Sequence, residues 1–111
     1  MTTFLRLNRD TDPVESTPGE RIIEGAPTFR TWNVEESGDV LLGLWEATPG
    51  KWRFAKEGFE FCHILSGVSV ITEEGGEAHT VRAGDSFVLR PGFKGTWEVR
   101  ETTLKEYVLR R

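Results

Sequence analysis

"EFCHILSGVSVITEEGGEAHTVR", residues 60–82, decides the fold. Aromatic and β-branched residues recur through Thr72 with no 3.6-residue period, so the run reads as one long strand. Gly67 interrupts it where a glycine marks a bend or corner. "EEGGE" (73–77) then supplies the paired glycines of a tight hairpin, and "AHTVR" (78–82) returns. The opening of the strand also places a carboxylate, a thiol and an imidazole (Glu60, Cys62 and His63) within four positions, the three side chains that most often hold a transition metal. Strand alternation separates them: Glu60, Cys62 and Ile64 share one face, and Phe61, His63 and Leu65 the other.

The same punctuation extends outward. "VLLGLWEA" (40–47) is a strand closed by the turn "TPGK" (48–51), and a shorter strand covers Phe29 to Val34. Beyond the hairpin, "AGD" (83–85) turns, "SFVLR" (86–90) runs on, and "PGFKG" (91–95) turns again. "TWEVRE" (96–101) and "TLKEYVLR" (103–110) finish the sheet as two strands. Short strands joined by glycine and proline turns predict an all-β jelly-roll barrel. Residues 1–24, rich in Thr, Asp, Pro and Glu, read as a partly ordered N-terminal arm, and residues 25–111 as the domain.

With 111 residues there is material for one domain. A net charge of −4 and the absence of any extended basic run argue against nucleic acid and anionic membranes as partners. A single cysteine excludes an internal disulfide and fits a reducing compartment. No segment reads as a secretion signal or approaches the length of a membrane span, so a soluble cytoplasmic protein is expected.

The segments "RTWN" (30–33), "TPGKW" (48–52), "EFCHILSG" (60–67), "AGDSFVL" (83–89) and "PGFKGTWEV" (91–99) occur in an order that resembles the cupin superfamily, with its RmlC-like jelly roll. More narrowly the chain is similar to the small single-domain cupins related to ureidoglycine aminohydrolase. The resemblance implies a barrel with a ligand pocket, and a homodimer paired through sheet faces. Metal-binding cupins carry G-x5-H-x-H-x(3 or 4)-E-x6-G and then G-x5-P-x-G-x2-H-x3-N. Here Gly67 closes the first motif and Glu60 stands at its glutamate, but Arg53, Phe54, Ala55 and Lys56 occupy the histidine region. In the second motif the histidine position falls on Gly95. One carboxylate does not hold a transition metal, so no metal and no other cofactor is expected.

Function is then expected from the inward positions. Glu60 is the candidate acid–base residue, and Lys94, one residue before the vacated histidine position, is its candidate partner. Desolvation among Cys62, Ile64 and aromatic neighbours would raise the Glu60 pKa, whereas a nearby cation would hold it ionised. Cys62, Trp97, Trp52 and Tyr107 are candidate pocket-lining residues. Cys62 and Trp97 have equally plain roles as core fillers. The leading expectation is a small-molecule-binding cupin acting as a metal-independent enzyme with a Glu60/Lys94 pocket. The alternatives are a non-catalytic metabolite-binding or sensing module, and a divalent-metal cupin (manganese, iron, nickel or zinc) acting on a ureido or similar nitrogenous compound. In the metal case Cys62 or His79 would join Glu60 as ligands.

Overall fold

The computed structural model describes residues 3–111, so residues 1 and 2 of the expected arm lie outside it. The described residues form nine strands: β1 (Val14–Ser16), β2 (Ile22–Gly25), β3 (Phe29–Ser37), β4 (Val40–Ala47), β5 (Gly50–Ala55), β6 (Phe59–Glu73), β7 (Ala78–Arg82), β8 (Ser86–Leu89) and β9 (Lys94–Arg110). A single 3-10 turn, Gly19–Arg21, precedes β2. No helix among the described residues is long and apolar enough to cross a membrane.

All pairings are antiparallel, and β6 and β9 pair along nearly their whole length. Their two halves serve two limbs of one curled sheet. One limb runs β1-β3-β4-β9-β6-β8, the other β2-β5-β9-β6-β7. The limbs face each other across the core, the jelly-roll arrangement expected from the turn spacing.

The bend lies at Gly67, where the β6–β9 register shifts on both sides. Its φ is +93°, and a Cβ there would stand 2.1 Å from the Thr102 carbonyl oxygen. Only glycine lets the two long strands cross this closely. Beside the corner, Ser69 Oγ and Thr103 Oγ1 are 2.7 Å apart, and the Trp97 indole N–H donates to Ser69 Oγ at 3.0 Å. Those polar groups are buried, and each has its partner.

Three features depart from the expectations. The final two strands are one continuous strand, β9. Residues 94–99 pair with β5 and residues 103–110 with β4, so the change of neighbour between them looks like a break in the sequence pattern. A strand, β5, occupies Gly50–Ala55, overlapping the end of the expected turn (48–51) where no strand was expected. The segment expected as a partly ordered arm is paired at two places, β1 to β3 and β2 to β5. These are short edge strands held by backbone pairing, which leaves little apolar alternation to read. Ahead of them, Arg9 lies over the Trp32 ring at 5.6 Å and approaches Glu46 at 4.0 Å.

Candidate functional site

β6 presents Glu60, Cys62 and Ile64 to the interior, as alternation requires, and β9 presents Thr103, Lys105 and Tyr107 to the same space. The interior is aromatic. Trp97 lies 5.1 Å from Trp45, 6.1 Å from Phe87 and, nearly parallel, 6.3 Å from Trp52.

Within this wall stands one charged cluster. Lys105 Nζ donates to Glu60 Oε2 at 2.8 Å, and Lys56 Nζ donates to Glu60 Oε1 at 2.6 Å. The Cys62 thiol donates to Glu60 Oε2 at 3.2 Å. The Lys105 ammonium also lies 4.4 Å from the Trp45 ring centre and 4.5 Å from that of Trp97. Cation–π attraction therefore supplements its ion pair where water is excluded.

Desolvation alone would raise the Glu60 pKa, but the charges of Lys105 and Lys56 outweigh it and lower the value to about 2. Burial pushes the Cys62 thiol the other way, to about 12. For Lys105, burial works against the charge, but Glu60 outweighs it and raises the pKa above its ordinary value. At neutral pH the cluster is thus one carboxylate between two ammonium groups, with a surplus positive charge and an un-ionised thiol. Such a carboxylate is a poor general acid, and such a thiol is a poor nucleophile.

The structure does not bring Lys94 to Glu60. Lys94 is exposed on the outer side of β9, beside Ala55. The cations on Glu60 are instead Lys56 and Lys105. Lys56 stands in the region a metal-binding cupin gives to histidine, and its charge takes up a carboxylate that a metal would otherwise balance. Lys105 was legible in the pattern, since it shares the inward phase of Thr103 and Tyr107 in "TTLKEYVLR". Cys62, Trp97, Trp52 and Tyr107 are all buried and line neither sizeable cavity. Tyr107 donates its hydroxyl to Asn33 Oδ1.

An open cavity of about 700 Å³ lies at the barrel mouth between the edges of β7 and β8. Ile71, Val81, Phe87, Leu89 and Phe93 provide apolar walls, with His79 and Arg90 among the polar lining. It adjoins the charged cluster: Leu89 pairs with Glu60, and Lys56 exchanges backbone hydrogen bonds of 2.8 Å with Gly92 and Phe93. His79 therefore belongs to the mouth. His63 faces outward and its Nδ1 lies 2.7 Å from Ser86 Oγ.

The EutQ-like cupin domain matches residues 34–107. The chain belongs to that family. A DUF861-family protein of unknown function from Pseudomonas syringae pv. tomato superposes with a TM-score of 0.81 at 24% identity, over 93% of this chain and 46% of the other. The EutQ protein of Clostridium difficile gives 0.69 at 16% identity, over 76% and 63%. A cupin superfamily protein from Desulfitobacterium hafniense gives 0.65 at 14% identity, over 74% and 76%. These likenesses establish the fold, and this cupin spans less than half the length of the Pseudomonas protein. Nothing among curated proteins matches the chain.

The donor set of this cupin does not suit a metal. Both Glu60 oxygens are engaged by lysine ammonium groups, which repel a cation. At Gly95, the other vacated histidine position, a Cβ would stand 2.0 Å from the Thr72 carbonyl oxygen. The approach of β9 to β6 uses that space, so no histidine fits without moving backbone. Among the described residues no three His, Cys, Asp or Glu side chains group closely enough to hold a metal.

Proposed function

We propose that this cupin is a small-molecule-binding domain that takes its ligand in the barrel mouth and works without a metal. The observation that carries the reading is the mouth cavity itself. Its volume lies within the range of ligand sites, and its lining sets apolar side chains beside polar ones, His79, Arg90, Glu73 and Asp85 among them. The ion-paired Glu60 then acts as a fixed charge behind the cavity wall rather than as a proton donor, which favours binding over turnover. The ligand has an apolar body for Phe87, Leu89 and Phe93 and a polar end for His79 and Arg90. Ureido and related nitrogenous metabolites, together with small organic acids, fall within this class.

A metabolite panel screened by thermal shift and tryptophan fluorescence tests this, because Phe87 bridges the cavity and the buried Trp97. A true ligand is expected to raise the melting temperature and change the emission. The exposed-site variants His79→Ala and Arg90→Ala are each expected to weaken it about tenfold. Retention of a stoichiometric metal after dialysis would overturn the metal-free reading. Turnover of a ligand that disappears in Glu60→Gln, with folding intact, would restore an acid–base enzyme.

The same domain is proposed to form a homodimer through the outer face of the β8-β6-β9-β4 limb. Val88, Phe61, Val108 and Leu42 align in one row across those four strands, and Phe61 and Val88 are 37% and 38% exposed. Apolar rows of this kind mark interaction surfaces. Arg110 stands one outward-facing step to one side and Glu106 one step to the other. A two-fold axis along the row sets each copy's Arg110 opposite its partner's Glu106. Sedimentation is expected to show a dimer that Phe61→Glu converts to monomer; a monomeric wild-type protein would refute the interface.

A further inference from the structure

A second recess, of about 650 Å³, lies on the outer side of the β2-β5-β9-β6-β7 limb and meets the mouth cavity only at Glu73. Arg21 from the 3-10 turn, Arg53 from β5 and Lys94 from β9 converge on it. Three cations from three elements meet here in a chain whose net charge is −4. The strand register explains how. Arg53, Thr96 and Thr72 form one row across β5, β9 and β6, and Lys94 lies two residues from Thr96 on the same side of β9.

These groups have no other employment. Among the described residues neither Arg53 nor Lys94 has an ion-pair partner, and the Thr72 and Thr96 hydroxyls make no hydrogen bond. Arg21 commits its Nε to the Pro18 carbonyl, which orients the guanidinium and leaves its terminal nitrogens free. Uncommitted guanidinium, ammonium and hydroxyl donors around one recess are the chemistry that recognises a multiply charged oxyanion. The hairpin residues Glu73 and Glu74 bound the recess as well, and the Glu74 N–H donates to the Lys94 carbonyl oxygen at 2.8 Å. Their charge repels an anion from the hairpin end and directs it toward the arginines.

We propose that this recess is a second ligand site, one that takes a phosphate group. Its cationic groups lie on the opposite side of the sheet from the mouth, and none of them lines the mouth cavity.

Titration of the uniformly labelled full chain with inorganic phosphate at constant ionic strength, followed by amide NMR, tests the proposal. Saturable shifts are expected at Thr72, Gly75, Gly95 and Thr96. Arg53→Gln and Lys94→Gln are each expected to weaken binding about tenfold, with the melting temperature unchanged because both side chains are exposed. His79→Ala, in the mouth, is expected to leave phosphate affinity unaltered, which separates this site from the one proposed above. Shifts that chloride reproduces equally, or wild-type affinity retained in both glutamine variants, would overturn the proposal. Tighter binding of citrate than of phosphate would overturn the phosphate specificity.

Discussion

Glu60→Gln is expected to lower the unfolding free energy by about 3–5 kcal/mol, the cost of stranding a buried charge. The wild-type carboxylate balances Lys105, whose side chain is 7% exposed. The amide keeps the shape but removes the counter-charge, and Lys105 is left with neutral partners: the amide oxygen, the Cys62 sulfur and the faces of Trp45 and Trp97. Chemical denaturation of the two proteins checks it, and a loss under about 1 kcal/mol would contradict the burial argument. A Glu60→Leu/Lys105→Met double variant is expected to recover part of the loss, because it removes the most deeply buried pair and fills the space with apolar atoms but leaves the Lys56 ammonium without its partner.

The same pair sets the acid limb of the stability curve. The Glu60 pKa is lowered from 4.5 to about 2 on folding, through the Lys105 and Lys56 charges acting against desolvation. The unfolded chain therefore binds a proton first as the pH falls. The contribution is fully present above pH 4.5 and is lost between 4.5 and about 2. It amounts to roughly 3 kcal/mol. In Glu60→Gln this part of the acid dependence is expected to vanish.

Gly67→Ala is the second large effect, expected to cost about 4 kcal/mol or more. The new methyl group would meet two backbone atoms, the Thr102 oxygen at 2.1 Å and the Thr103 Cα at 2.7 Å, and neither can move without opening the β6–β9 corner. Gly75→Ala is the control. It also has positive φ, +78°, but nothing lies within 4 Å of its Cβ position. Its cost is confined to backbone strain, about 1–2 kcal/mol. Equal melting temperatures for the two variants would show that the corner is not held by this close approach.

How much of this was legible depends on whether the signal was local. The β6–β7 hairpin was readable because Gly75 and Gly76 punctuate two runs of β-forming residues. The Gly67 corner was readable because a glycine interrupts an otherwise continuous strand. Glu60 was singled out by its place at the glutamate of the metal motif, and alternation put Cys62 on its face. Its partner was misassigned to Lys94 because proximity to the vacated histidine position was used as a substitute for side-chain direction. Lys94 is on the outer phase of β9, whereas Lys105, eleven residues later and on the inner phase, reaches back across the pairing to Glu60.

The sequence by itself determined the all-β architecture, the β6–β7 hairpin and the Gly67 corner, the common face of Glu60 and Cys62, and the loss of histidines from the metal motifs. Each is a property of residue type and period along the chain. Only the tertiary structure decided that Lys56 and Lys105 neutralise Glu60, that tryptophans fill the interior, and that the open space lies at the mouth and outside β9. Those outcomes depend on which strands become neighbours across long stretches of chain. A two-residue period specifies the face on which a side chain lies, but not what stands opposite it.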